Sequence, residues 1–546
     1  MSQPQTEEPQ SDQCASPRVI GGLGSFALVA GSMLGIGIFI VPPVVAAQLP
    51  STLSFLGVWL VAGFLAFAGA VACAELGSLI PRAGGDYVFQ TKAYGKSVAF
   101  ASGWVLFAAI FAGSIATMSV ALCQYQLPVL GLDLTNTTVT LPLFGDVKGM
   151  NVAALVIVLG LTLINSVGAL VSARLQTVLI AVPLVVLTVS AIAVLMMESP
   201  VTVAEWTASF DALLHGGTVE PPRSEGSAGL TMSNLVEAYV AVYFAYSGWN
   251  AVTYVAGEIK NPERNIPRSL LSGTVVVTVV YILLCIAFLS VLGIRGLEGA
   301  GEAGTFTAGV LGGPVGQVIV TLLIAMALFV GLNGTVMGGA RVAYAMGRGG
   351  AFISAVGKLS PRTKAPVRAL WLQALWACVL ILTGSFDQLL TLTSLAMLVT
   401  GTLTVASVFV LRRTMPDAER PYRAWGYPWV PSLYLVASLT VIGYKVAEAF
   451  SAKPDSWYPL LGLVVLAVAF VTHQAWVLWA KRRRRRVLVG TLIFFLAGGL
   501  LIDQTARGAS ATTSAHRGSA LSGKTSKVEL PGHHAEHALK LGSGRR

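Results

Sequence analysis

Residues 30–39 read Ala-Gly-Ser-Met-Leu-Gly-Ile-Gly-Ile-Phe and place three glycines in seven positions inside an apolar run. Residues 244–250 read Phe-Ala-Tyr-Ser-Gly-Trp-Asn inside another apolar run. Glycine lowers the cost of leaving helical geometry, and backbone freed within hydrocarbon is tolerated where it lines a cavity or binds a ligand. Either cluster alone could instead be a packing contact between helices. The pair predicts two interrupted helices.

The composition around these clusters is that of a membrane protein. Of the 546 residues, 55% are hydrophobic and 11% are charged, whereas soluble domains have roughly 25% charged residues. An apolar run of about 20 residues can cross a bilayer as a helix. Twelve such runs lie near residues 20–46, 54–80, 97–123, 151–173, 175–197, 235–257, 270–294, 311–340, 369–384, 388–411, 429–450 and 457–480. A thirteenth and shorter run, 487–502, could span, re-enter or lie at the interface.

The net charge of +11 is distributed as in a membrane protein rather than a nucleic-acid-binding one. A basic run at 481–486 directly follows an apolar segment, where it fixes topology and meets anionic lipid head groups. With the N-terminus in the cytoplasm, the loops before this run hold far more Lys and Arg inside than outside. The outside loops then hold only Lys148, Arg223, Arg295 and Lys453. We therefore predict a multi-pass protein of the cell (cytoplasmic or inner) membrane with a cytoplasmic N-terminus.

The positions of the two breaks predict the internal organisation. They fall in the first and sixth spans, which are corresponding positions of two five-helix halves, and an odd number of helices inverts the second half. The expected segments are 1–19 as a cytoplasmic N-terminal segment, 20–197 as the first repeat, 235–411 as the inverted repeat, 429–480 as two additional helices, 487–502 as a candidate thirteenth span and 503–546 as a disordered polar tail.

The chemistry of such breaks suggests a ligand. Half-helix N-termini expose N–H groups that suit a carboxylate, and unwound carbonyls suit an ammonium. A site with both is complementary to a zwitterion, and hence to an α-amino acid. The sequence has nothing anionic beside the two breaks, which favours a neutral side chain. Asn250 and Asn333 are further candidates for the cavity.

Four segments carry a resemblance to a known family. They are 31–39, 244–250 with the later 257–267, 420–428, and 74–87, which reads Ala-Glu-Leu-Gly-Ser-Leu-Ile-Pro-Arg-Ala-Gly-Gly-Asp-Tyr. They resemble the amino acid–polyamine–organocation superfamily, and within it the L-type amino acid transporters and their prokaryotic relatives, over about residues 20–480. The resemblance implies an all-α polytopic membrane protein with the LeuT-type fold of five-plus-five inverted repeats and two further helices, or three if 487–502 spans.

The resemblance also implies roles for single residues. The backbone around Ile36 and Gly37, with Gly35 beside them, would receive the substrate carboxylate. The Phe244 ring would gate the site from outside. The ammonium would be received by the carbonyls of Met33, Phe244, Ala245 and Ser247. Two departures from the family pattern are Ile36, where a small hydroxyl or glycine-flanked serine is usual, and Pro183, where many relatives carry a lysine.

These features predict a secondary active amino acid transporter that works by alternating access, as an exchanger or facilitator. An amino acid sensor on a transporter fold and a transporter of polyamines or cationic amino acids are the alternatives. The spans lack the charge rings of a channel and the clustered nucleophiles of an enzyme. The expected partners are the amino acid substrate and the lipid bilayer, without nucleic acid, metal or cofactor. No disulfide-linked subunit is expected, because the outside loop 126–149 has no cysteine.

Overall fold

The computed structural model describes residues 16–141, 145–197, 230–383, 386–450, 467–468 and 470–475, and it is helical almost throughout. We number the spans in chain order. Span one comprises helices Gly22–Met33 and Gly37–Gln48, and span six comprises Met232–Ala245 and Ala251–Tyr254. Span three runs from Lys96 to Gln126 with π-helical turns at Leu106–Phe111 and Leu122–Gln126. The other described spans are Thr52–Leu79 (two), Gly149–Val167 (four), Ala169–Leu195 (five), Pro262–Glu298 (seven), Ala303–Arg348 (eight), Val367–Thr383 (nine), Phe386–Thr414 (ten) and Trp429–Ala449 (eleven).

The all-α polytopic fold is confirmed. Within the described ranges, nine helices are long and apolar enough to cross a membrane, and Val367–Thr383 is a shorter apolar helix. Of the expected span 457–480, residues 467–468 and 470–475 are described, and they are helical. The expectations for 487–502, for 503–546 and for most of 1–19 lie outside the described residues.

Spans seven and eight are longer than their apolar runs predicted. Each contains a kink close to one boundary of its run: Gly293 (φ 62°) lies near the last residues of 270–294, and Gly313 (φ 57°) lies near the first residues of 311–340. The hydropathy run therefore marks the straight part of each helix, and the chain continues as helix beyond the kink. Two smaller elements lie between spans: the loop helix Asp86–Tyr94, and a hairpin of β1 (Thr138–Leu141) and β2 (Gly145–Lys148) with Thr138 opposite Lys148.

The spans differ in how much apolar surface they expose. Span one is buried almost completely, whereas spans four and five present large apolar side chains such as Val156 (66% exposed) and Val178 (68% exposed). A contiguous apolar surface of this extent is unfavourable in water and natural in hydrocarbon. Spans four and five are therefore lipid-facing, and span one lies in the interior of the helix bundle.

Charged side chains near the span ends are paired. Glu75 of span two accepts hydrogen bonds from Arg412 (2.6 Å) and Arg420 (3.2 Å), and Lys445 of span eleven contacts both Glu237 and Glu448. Because burying an unpaired charge within a membrane is costly, such pairing is the expected arrangement. These residues therefore have a structural explanation that needs no transported ion.

Candidate functional site

Span one is broken at residues 34–36, as its glycines predicted. The first helix ends at Met33 and the second begins at Gly37. The N–H groups of Ile36, Gly37 and Ile38 donate no hydrogen bond to any group in the described part of the chain. Unpaired N–H groups at a helix N-terminus attract anions. The break therefore offers the donor set that a carboxylate requires.

Span six is broken at residues 246–250. Its first helix ends at Ala245 and its backbone turns through Gly248, whose φ of +95° is in the region that favours glycine. The Phe244 carbonyl accepts a hydrogen bond from the Ser247 N–H at 3.0 Å. The turn thus provides hydrogen-bond partners for some of the backbone N–H and carbonyl groups that the break leaves free.

The two breaks pack directly against each other. A Cβ atom built on Gly37 would lie 2.4 Å from the Ala245 Cα, and one built on Gly248 would lie 2.7 Å from the Ser32 carbonyl oxygen. Real Cβ atoms do not approach other atoms so closely, because repulsion rises steeply below contact distance. Glycine at these two positions is what lets the broken segments meet.

The Tyr281 hydroxyl joins the two breaks. It lies on span seven, is fully buried, and reaches the carbonyl oxygens of both Met33 and Ala245, the second at 3.1 Å. Both carbonyls had been predicted to receive the substrate ammonium. A carbonyl oxygen has two lone pairs, so each could accept a second donor. In this structure, however, their bonds from side chains come from Tyr281.

A Tyr281→Phe variant tests this link. Removing the hydroxyl takes a hydrogen-bond donor from two buried carbonyls, and we expect the free energy of unfolding to fall by about 1–3 kcal/mol. Thermal unfolding of the purified protein in detergent measures the loss. Tyr239→Phe is the matched control, because the buried Tyr239 hydroxyl bonds to nothing in the described part of the chain. Equal melting temperatures for the two variants would contradict the link.

A cavity of about 70 Å³ adjoins both breaks. Its wall combines hydroxyl and amide groups with apolar and aromatic side chains, which is the usual composition of a small-molecule site. The polar lining residues are Ser32, Asp86, Ser114, Ser247, Asn250, Tyr254, Thr335 and Thr400. The apolar and aromatic ones are Leu106, Ile110, Phe111, Met118, Tyr243, Trp249, Ala251 and Met397.

The predicted site residues divide between the cavity wall and its surroundings. Ser247 and Asn250 line the cavity, together with Ser32 in the last turn of the helix that precedes the first break. Phe244 is buried but does not contribute to the lining, whereas its neighbour Tyr243 does. Five predicted residues lie in the breaks or directly flank them and are not among the lining residues of the cavity: Met33, Gly35, Ile36, Gly37 and Ala245. Their roles, and the gating role of Phe244, stay predictions.

Asn333 does not lie on the cavity wall, where it had been expected. Its side chain bonds to spans four and five: it accepts from Asn165 (2.8 Å) and Ser172 (3.0 Å) and donates to Gln176 (2.8 Å). Span eight turns the next residues, Gly334 and Thr335, toward the cavity. The amide of Asn333 is fully hydrogen-bonded within this buried polar network, which joins span eight to spans four and five.

Asp86 is the residue that sequence reasoning missed, and it corrects the expectation that nothing anionic lies beside the breaks. Its carboxylate lines the cavity, is 1% exposed, and accepts hydrogen bonds from Asn250 (3.1 and 3.2 Å) and the Tyr254 hydroxyl (2.9 Å). Asp86 is 164 residues from Asn250 in the chain, so local sequence could not place it there. A weak signal existed, since it follows two glycines between apolar runs.

Residues 20–470 of this chain match the family model of the amino acid permeases. The chain is 28% identical to the serine/threonine exchanger SteT of Bacillus subtilis, over 82% of this chain and 95% of that protein. It is 26% identical to the human b(0,+)-type amino acid transporter 1 (85% and 88% covered) and 25% identical to the human cystine/glutamate transporter (88% and 89% covered). These relatives are transporters and not enzymes. Because the family match covers most of the chain, this protein belongs to the amino acid permease family of multi-pass membrane transporters.

Proposed function

We propose that this protein is a secondary active transporter that carries neutral amino acids by alternating access, as an exchanger or facilitator. The observation that carries the proposal is the cavity that adjoins both breaks, with Ser32 of span one and Ser247 of span six on its wall. The unpaired N–H groups of Ile36 and Gly37 suit a carboxylate. The freed carbonyls nearby suit an ammonium, so the two breaks together complement a zwitterion.

The side-chain preference follows from the rest of the cavity wall. Its hydroxyl groups can bond a small polar side chain, and its apolar residues can contact an aliphatic one. Asp86 is the single charged residue among the lining residues that the structure describes, and it is already held by Asn250 and Tyr254. The names of two relatives, the serine/threonine exchanger and the human large neutral amino acids transporter small subunit 2, support neutral substrates.

Asp86 supports one of the alternatives, a transporter of cationic amino acids or polyamines. A cationic amino acid or polyamine could displace Asn250 and pair with this carboxylate, since an opposite charge gains more than a neutral donor in a dry site. A sensor would bind amino acid in the same cavity without net flux. The two alternatives predict different transport results and are separated by the experiment below.

We further propose the inverted five-plus-five repeat, a cytoplasmic N-terminus and a location in the cell membrane. The breaks in the first and sixth spans support the repeat, and the excess of basic residues in alternate loops supports the orientation. The loop 126–149 has no cysteine. We therefore propose that the transporter works without a subunit linked through that loop by a disulfide.

Radiolabelled flux in proteoliposomes tests the function. With unlabelled L-serine or L-leucine inside, an exchanger takes up the labelled amino acid faster by about tenfold or more than it does into empty vesicles, because the return step is then loaded. A facilitator gives uptake in both cases. Binding without uptake would identify a sensor. Selective uptake of arginine, lysine or a polyamine over serine, alanine and leucine would overturn the neutral assignment.

A further inference from the structure

We propose that Asp86 is a proton-binding site on the cavity wall, and that it takes up a proton when a neutral amino acid binds. This inference rests on the proposed function and deepens it by naming a coupled ligand. It requires that the carboxylate be buried, face the cavity, lack a cationic partner and contact the part of the protein that the substrate engages. The described residues meet the first three conditions, and the proposed substrate site supplies the fourth.

The carboxylate is buried without a compensating positive charge. Asp86 begins the loop helix Asp86–Tyr94 and is 1% exposed. In the described part of the chain no Lys, Arg or His forms an ion pair with it, in contrast to Glu75, which has two arginine partners. A buried carboxylate that lacks a cation gains less from ionisation than one in water.

Neutral donors compensate for part of the burial. Asn250 and Tyr254 donate hydrogen bonds to the carboxylate oxygens. The Thr404 hydroxyl of span ten also lowers the pKa of Asp86. These donors favour the anion, while burial disfavours it more strongly and raises the pKa of Asp86 to about 6 from its ordinary 3.8. Both protonation states are therefore accessible near neutral pH.

Within the described ranges, the titratable groups around Asp86 are Tyr243 and Tyr254 of span six and Cys73 of span two. Phenols and thiols ordinarily ionise above pH 8. Asn250 and Thr404 carry no charge at any relevant pH. A transition between pH 5 and pH 8 at this place belongs to the aspartate.

The coupling to substrate follows from position. Asn250 directly precedes the short second helix of span six and Tyr254 is its last residue, so both residues connect Asp86 to the segment after the break, where the proposed function places the substrate. A neutral amino acid that fills the cavity displaces water from the carboxylate and raises its proton affinity further. By thermodynamic reciprocity, protonation of Asp86 then strengthens substrate binding.

The raised pKa of Asp86 determines how stability and substrate affinity change with pH. Folding raises the pKa of Asp86 above its ordinary value, so the associated stability is present below about pH 4 and is lost as the pH rises through about 6. Substrate binding favours the same protonated form. The apparent affinity for the amino acid should therefore increase as the pH falls from 7.5 to 5.5.

The experiment uses the full chain in proteoliposomes that contain the pH dye pyranine. The probe is L-serine or L-leucine, whichever gives the faster counterflow. For the wild type we expect an apparent affinity about tenfold higher at pH 5.5 than at pH 7.5, and a dye signal that reports proton entry with the substrate. Asp86→Asn should give a flat pH profile without proton entry, and Asp86→Glu should restore a pH-dependent profile.

Two controls separate the carboxylate from general effects. Asp133→Asn removes an exposed loop aspartate that bonds only to Thr135 in the described part of the chain, and it should leave the pH profile unchanged. Tyr254→Phe removes a donor that favours the anion, so the midpoint of the profile should move to higher pH. Tyr239→Phe removes a hydroxyl without contact to Asp86 and should leave the midpoint in place.

The outcomes distinguish this inference from the proposed function. Absence of counterflow with every neutral amino acid at every pH would reject the function itself. Counterflow with a pH-independent affinity, with affinity that falls on acidification, or without proton entry would reject the proton site and leave the function standing. A pH dependence retained in Asp86→Asn would also reject it. Should that variant fail to fold, the contrast between Tyr254→Phe and Tyr239→Phe decides the question.

Discussion

A Gly37→Val variant is expected to reach the membrane and to lose at least about 100-fold in transport activity, which corresponds to about 2.7 kcal/mol. The reason is the contact between the two breaks. A Cβ atom at position 37 would lie 2.4 Å from the Ala245 Cα and 2.7 Å from its Cβ. These neighbours are backbone or directly attached to it, so no flexible side chain can move aside. The helices must separate instead.

If the broken segments of spans one and six separate, the proposed substrate site between them is lost. The N–H groups of Ile36 and Gly37 would move away from the span-six carbonyls, and Tyr281 could no longer reach both Met33 and Ala245. The family resemblance implies that the backbone around this glycine receives the substrate carboxylate. Its contact in the structure is another helix, so the expected loss of transport is the same but the cause is different.

Counterflow of labelled amino acid measures the loss, and Gly160→Val is the matched control. Gly160 lies on span four, is exposed, and has no atom within 4 Å of the position that a Cβ would take. The control should transport at nearly the wild-type rate. Gly37→Ala should already be strongly impaired, because the collision begins at Cβ. Normal substrate affinity in Gly37→Val would mean that the breaks do not form the site.

The breaks could be predicted because their cause is local. Glycine-rich stretches within apolar runs determine where a membrane helix opens, and such stretches are visible in ten residues of sequence. The spans were predictable for the same reason, since hydrophobic length is a property of one segment. The kinks at Gly293 and Gly313 show the limit of that reasoning, because a helix can continue past the end of its apolar run.

The partners of the site residues could not be predicted. Asp86 meets Asn250, and Tyr281 meets Met33, across separations of 164 and 248 residues. Such contacts depend on how the helices pack, and one sequence contains no periodic signal for them. Asn333 illustrates the opposite error: a polar residue within a span suggested a cavity, whereas packing supplied it with three polar partners of its own.

The second large effect is expected at the ion pair between Glu258 and Arg341. Their side chains are 2% and 1% exposed, the Nη2 and Oε2 atoms are 3.0 Å apart, and Arg341 Nη1 also donates to the Met337 carbonyl at 2.8 Å. Removing one member of a buried pair leaves the other charge without compensation, at a cost of about 3–5 kcal/mol. We expect Glu258→Gln or Arg341→Met to lower the melting temperature strongly.

The control for this loss is Arg348→Met. Arg348 is on the same helix, is exposed, and contacts only the Tyr344 hydroxyl and ring in the described part of the chain. Its substitution should change the melting temperature little. The double variant Glu258→Gln/Arg341→Met should recover much of the stability, because it buries no unpaired charge. Additive losses in the double variant would contradict a direct pair.

This ion pair also has a consequence for transport that stability alone does not capture. The Glu258 side chain pairs with Arg341 of span eight, and its backbone carbonyl accepts hydrogen bonds from the N–H groups of Val19 and Ile20, both at 2.9 Å. Residue 258 thus links the segment after span six both to span eight and to the start of span one. Alternating access requires one side of the cavity to open while the other closes. The double variant keeps the backbone bonds to Val19 and Ile20 but loses the link to span eight, so we expect uptake into empty vesicles to rise relative to exchange. An unchanged ratio of uptake to exchange would mean that the pair stabilises the fold without controlling access.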